Sequence, residues 1–92
     1  MIEEEQLYKR YVDVIAAMKT DGTMTPLYIL WDTPKGQVKY RVQKVLSITR
    51  SVAAVGGAGV CYRVRVEGKE RTHERNLFWE QDRRWFIESK KP

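Results

Sequence analysis

The run Gly59-Val60-Cys61-Tyr62-Arg63-Val64-Arg65-Val66-Glu67 alternates apolar and polar side chains almost without a break. Successive side chains of an extended chain point to opposite faces, so a period of two marks a half-buried β-strand. Val60, Tyr62, Val64 and Val66 make one face, and Arg63 and Arg65 stand on the other. The segment therefore demands a sheet with an apolar inner side, and it places cations on the outer side.

Gln37 to Arg50 repeats the pattern. Val38, Tyr40, Val42, Leu46 and Ile48 face one way, and Lys39, Arg41 and Gln43 the other. Lys44 breaks the phase, which calls for a snorkelling side chain or a nearby bulge. Met24–Asp32 is rich in β-formers and apolar on both faces, so it is expected to be covered on both sides. Pro26 has no N–H to give a ladder and belongs at the start or edge of that strand. Thr20-Asp21-Gly22 and Thr33-Pro34-Lys35-Gly36 read as tight turns. Glu67–Glu70 reads as a two-residue hairpin, Arg71–Arg75 as strand or splayed loop, and Gln81–Arg83 as the turn of a last hairpin between Asn76–Glu80 and Arg84–Glu88.

Tyr8–Lys19 admits two readings. As a helix, Leu7, Tyr11, Val14, Ile15 and Met18 form an apolar stripe. As a strand, Tyr8, Val12, Val14, Ala16 and Met18 share a face with Arg10, opposite Tyr11, Ile15, Ala17 and Asp13. The strand is preferred, because no capping residue precedes the pattern and an Asp-Gly turn follows it. Glu3–Leu7 leaves room for one helical turn. Five to six short strands with tight connections predict a mainly β fold, a small antiparallel meander or partly open barrel. At 92 residues the chain suits a single domain, with a frayed acidic N-terminus (1–6) and a basic C-terminal tail (89–92).

Several chemistries lack their residue sets. The single cysteine, Cys61, allows no internal disulfide and no multi-cysteine zinc site, which suits a reducing cytoplasm. The N-terminus does not read as a secretory signal, and no apolar run approaches the roughly 18 residues that span a bilayer. No membrane partner, metal or cofactor is expected. Gly56-Gly57-Ala58-Gly59 resembles a phosphate cradle, but a strand follows it where a helix N-terminus is needed. His73, the one histidine, sits among charges with no second ligand and no nucleophile at a telling spacing. Cys61 shares the parity of Arg63 and Arg65. Cationic neighbours would lower its thiol pKa, although a partly buried strand residue is the simpler expectation. Catalytic residues are not expected, and the scattered carboxylates form no recommended acid–base pair.

The charge is +5 and the pI about 9.5, a balance that suits a polyanionic partner. Lys39 and Arg41 share the outward parity of Arg63 and Arg65, so the four residues form one cationic patch if their strands pair. Arg71 and Arg75 are candidates to extend it. Such a face binds phosphates by charge without reading sequence. A solvated, solubilising face is the alternative. Trp31, Tyr40, Tyr62, Trp79, Trp85 and Phe86 are expected in the core, with one or two available for stacking on bases. The expected function is thus a non-enzymatic binding module for DNA, RNA or another polyanion. The alternative is a module that pairs with itself or another protein through an edge strand or apolar patch.

Tyr11-Val12-Asp13-Val14, Asp21-Gly22, Pro26-Leu27-Tyr28-Ile29-Leu30-Trp31, Val45-Leu46, Gly56–Tyr62 and Trp85-Phe86-Ile87 together resemble a family of short uncharacterised bacterial single-domain proteins, mostly from Firmicutes. The resemblance covers most of the chain and consists of turns and apolar strand positions, so it implies no reaction and no site residue. Somewhat similar small domains occur beside error-prone DNA polymerases, which implies a DNA-related role.

Overall fold

Alternation becomes backbone throughout. The computed structural model describes residues 7–52, 58–80 and 84–90. They form six strands: β1 (Tyr8–Met18), β2 (Met24–Thr33), β3 (Gly36–Val52), β4 (Ala58–Glu67), β5 (Thr72–Glu80) and β6 (Trp85–Ser89). Each pairs antiparallel with the next, and β6 returns to β1, which closes a barrel. No described residue is helical. Of the Glu3–Leu7 helical turn, only Leu7 is described, outside any regular element; residues 1–6, 91 and 92 lie outside the described part.

The strand reading of Tyr8–Lys19 holds because the chain there serves two partners. Tyr8–Val12 pairs with β6, and Asp13–Met18 pairs with β2. Val12, Val14 and Ala16 turn inward onto the core. The β1–β2 register shifts between Ile15 and Ala16, where β2 carries a bulge. Pro26 lies beside that bulge, fully buried within β2 rather than at its first residue. The neighbouring Leu27 is the unpaired extra residue. The pairing of β2 with β3 starts only at Tyr28, so the missing N–H of Pro26 costs the sheet no ladder bond.

β3 is the long strand that shapes the barrel. Its residues 36–41 pair with β2, and its residues from Val42 onward pair with β4. Irregularities between Val42 and Lys44 and between Val45 and Ser47 turn it through the corner. They also explain the phase break at Lys44. The bulge carries Lys44 to the outer side opposite Arg65 and puts Val45, not Leu46, inward opposite Val64. The second irregularity restores the phase, so Ile48 keeps the inward parity of its partner Tyr62, yet it is 56% exposed, on the part of β3 that lies beyond its pairing with β2.

The core gathers Ile29, Val42, Tyr62, Val64, Val66, Leu77, Trp85 and Ile87. Trp85 lies tilted against both Tyr62 and Trp79. The Tyr62 hydroxyl donates to the Met24 carbonyl at 3.0 Å, so the buried phenol has its partner. Among the described residues no layer covers the second face of β2, contrary to the doubly covered strand expected there. Tyr28 and Leu30 are only half-buried and Leu27 is exposed.

The turns follow their residue types. Gly22 closes β1–β2 at φ +87°, and Asp21 accepts from the backbone N–H and the hydroxyl of Thr23. These bonds, led by the hydroxyl, hold the Asp21 carboxyl below its ordinary range. Gly36 ends the β2–β3 turn at φ +118°, conformations that a side chain would strain. The β4–β5 connection is longer than the two-residue hairpin expected. It runs from Gly68 to Arg71, closed by the Gly68 N–H on the Arg71 carbonyl. Gln81–Arg83 lie outside the described residues, but the Glu80 N–H donates to the Arg84 carbonyl across that last hairpin.

Candidate nucleic-acid interface

Pairing of β3 with β4 brings the predicted cations onto one surface. Lys39 and Arg41 stand outward on β3 opposite Leu30 and Tyr28 of β2. Lys44 stands opposite Arg65, and Ser47 opposite Arg63. Arg41 reaches Glu67, two residues beyond Arg65 on β4, at 3.9 Å. The five cations therefore form a continuous stripe across β3 and β4. From Glu67 to Arg63 it spans about 13 Å at the usual strand rise of about 3.3 Å.

Two carboxylates dilute the stripe. Glu67 lies near Arg41, and Glu74 on β5 is shared by Arg65 at 3.6 Å and Arg63 at 3.8 Å. Arg63 also donates to the Asn76 side-chain oxygen at 3.1 Å. The carboxylate contacts are long and solvated, and such pairs hold a guanidinium only loosely. Hydroxyls of Ser47 and Thr49 take the same outward parity beside Arg63 and Cys61, a second type of phosphate donor. The Lys39 ammonium lies 4.6 Å over the Tyr28 ring, so the stripe includes an aromatic face. It stops at the β2–β3 hairpin, where Gln37 binds the carboxylates of Asp13 and Asp32.

Arg71 and Arg75 do not extend this stripe. Arg71 sits in the β4–β5 connection. Arg75 pairs with the inward-facing Val64, which gives it the opposite parity to Arg63 and Arg65. Its place is the open end of the barrel. β6 pairs with β5 only at Phe78–Trp79, so among the described residues the first half of β5 has no paired strand on that side. A cavity of about 220 Å³ opens there. Ile29, Val66 and Ile87 line it from the core, with Trp31 and Tyr40 as aromatic walls. Lys69, His73 and Arg75 contribute the polar lining with Glu67, the carboxylate that faces Arg41. The stripe and the cavity thus meet at Glu67.

The walls of the cavity are braced. Arg10 of β1 has its guanidinium 3.8 Å over the Trp31 ring. Gly68 is required by close approach, since a Cβ there would lie 2.6 Å from the Arg71 carbonyl oxygen and 2.9 Å from the His73 ring. His73 is exposed, as its charged surroundings suggest, but it belongs to a cavity lining that its sequence neighbours do not reveal. The signal was the parity of His73 and Arg75, which matches Val64 and Val66 across the ladder.

Cys61 lies with Phe78 and Phe86 in a small cluster on the outer side of the sheet. The two phenyl rings stack at 4.9 Å, and Tyr11 meets Phe86 edge-on. Lys9 lies over Phe86 and bonds Glu80, which also accepts from Tyr11 and Arg84. Burial pushes the thiol pKa up; Arg63 opposes this and Glu88 adds to it. The buried strand residue expected as the simpler reading is what the fold provides, with desolvation outweighing the nearby cation. A thiol-reactive dye at neutral pH is expected to label Cys61 far more slowly in the native protein than in urea. Equal rates would contradict its burial.

Gly56 and Gly57 of the glycine run lie outside the described residues, while Ala58 and Gly59 begin β4. Among the described residues no group of three His, Cys, Asp or Glu side chains is placed to hold a metal ion. One buried oxygen of the Glu88 carboxylate has no hydrogen-bond partner among the described residues.

The fold and surface define a small closed antiparallel β-barrel with a cationic outer stripe that ends at a partly aromatic mouth. No family model matches the chain, and neither a curated protein nor a solved structure is found similar to it.

Proposed function

We propose that this protein is a non-enzymatic binding module whose β3–β4 outer face engages the phosphate backbone of nucleic acid. The supporting observation is the register of that ribbon: Lys44 lies opposite Arg65, with Arg41 and Arg63 beyond it on either side. Cations at strand spacing on a gently twisted surface follow a phosphate chain without reading bases. The loose ion pairs at Glu67 and Glu74 leave the guanidinium groups free to exchange carboxylate for phosphate. Sequence-independent binding by this route releases condensed counterions, so affinity falls steeply with salt.

Fluorescence anisotropy with labelled DNA and RNA tests the reading. Binding is expected at about 50 mM salt and strong weakening by about 200 mM. No binding to any of these strands at about 50 mM would remove the proposal.

A further inference from the structure

The stripe leads to a cavity, and the two share Glu67. We infer that the barrel mouth takes one unstacked nucleotide of a single strand, with its base in the cavity and its phosphate at the cationic rim. The inference rests on the phosphate-binding reading of the outer face and narrows it to single-stranded nucleic acid.

Three features of the cavity point this way. Its volume, about 220 Å³, is below the roughly 300–1,000 Å³ of sites for drug-sized ligands. It therefore suits a single ring system and not a dinucleotide. Its walls combine two half-buried aromatics, Trp31 and Tyr40, with aliphatic groups from the core. A flat ring with polar edges is buried well by such walls, because every base has a π-face to present. Finally, Lys69 and Arg75 give the lining fixed positive charge beside the apolar floor. The one carboxylate in the lining, Glu67, faces Arg41 at 3.9 Å, so its charge is partly offset.

An apolar ring and an anion on one molecule match this juxtaposition. A duplex matches only the outer stripe, because its bases are stacked inside and cannot enter. The expected consequence is a preference for single strands, supplied by stacking of one base and worth on the order of tenfold in affinity or more.

The test uses the full chain and three probes: thymidine 5′-monophosphate, a single-stranded oligonucleotide and its duplex. The mononucleotide at millimolar concentration is expected to shift the indole N–H resonance of Trp31, while thymidine without its phosphate binds about tenfold more weakly or worse. The single strand is expected to outbind the duplex by about tenfold. Lys69→Ala with Arg75→Ala is expected to remove most of that preference and leave duplex affinity within a few-fold. Both side chains are exposed, so this pair avoids the folding risk of Trp31→Ala. Equal affinity for single strand and duplex, with the Trp31 resonance unmoved by the mononucleotide, would overturn the inference and leave the outer stripe standing. Loss of both polymers with the mononucleotide shift intact would support the cavity and overturn the stripe. Silence from all three probes would overturn both.

Discussion

Leu77→Ala is expected to cost about 2–5 kcal/mol of folding stability. Leu77 is fully buried on β5 and sits opposite Tyr62 of β4. It packs in the main cluster with Val64 and Trp85. Removing its isobutyl group opens a cavity that the β4 ladder and the surrounding core side chains fill only in part, so a cavity term adds to the lost transfer energy. Domains of this size carry only about 5–15 kcal/mol in total. The melting temperature is therefore expected to fall by about 10 °C or more. Met18→Ala is the matched control, since Met18 is 68% exposed and truncation there is expected to stay within about 0.5 kcal/mol. Urea denaturation of both variants measures the contrast. Equal midpoints would mean that the inward face of β5 is wrongly assigned.

The second large effect concerns binding. Alanine at Lys39, Arg41, Arg63 and Arg65 together is expected to lower affinity for a single strand on the order of a thousandfold near 50 mM salt, if each side chain meets one phosphate. Counterion release alone supplies this figure, at about 0.7 per contact in the slope of log affinity against log salt. The slope itself is expected to flatten by about three. The fold should tolerate the change. These side chains lie on the outer surface, and the ion pairs they give up, at 3.6–3.9 Å and well solvated, contribute about 0–1 kcal/mol each. An unchanged melting temperature with unchanged affinity would exclude the stripe as the binding surface. Lys9 and Arg84 give a control pair on the opposite flank. Both are tied to Glu80, and their removal should leave the salt slope alone.

Much of this barrel was legible in the residue pattern. Val60–Glu67 alternates cleanly, and β4 appears with its predicted faces. The Asp-Gly and Pro-Lys-Gly turns were readable because each needs a particular backbone angle, and Gly22 and Gly36 supply it. The Tyr8–Lys19 ambiguity arose because its apolar residues fit either period. Tertiary pairing settled it, through β6 on one half and β2 on the other. Bulges were the main source of error. A single extra residue reverses the faces beyond it until a second restores them, which is how Leu46 came to be read as inward, while Ile48 keeps its inward parity but lies past the end of the β2–β3 pairing. Lys44 was the visible trace of that slip.

The candidate site divides the same way. Lys39, Arg41, Arg63 and Arg65 were found by parity, because their strands pair as neighbours and keep their faces. Lys44 joined them through a bulge that periodicity could locate but not resolve. Arg75 was misplaced because its charged neighbours hid the phase of β5; only the ladder to Val64 reveals that it faces the barrel's open end. The cavity was not legible at all. It exists because β6 pairs with β5 only at Trp85 and Phe86 and then follows β1 alone, a divergence of strands that local sequence does not encode.

We propose that one face of the β3–β4 ribbon carries the phosphate contacts. Amide resonances followed during titration with a single-stranded oligonucleotide test it residue by residue. Shifts are expected to concentrate at Lys39–Lys44 and Arg63–Arg65 and to spare Asp13 and Asp32 at the acidic hairpin end. Shifts gathered on the Tyr11–Glu80 flank, with the ribbon silent, would contradict it.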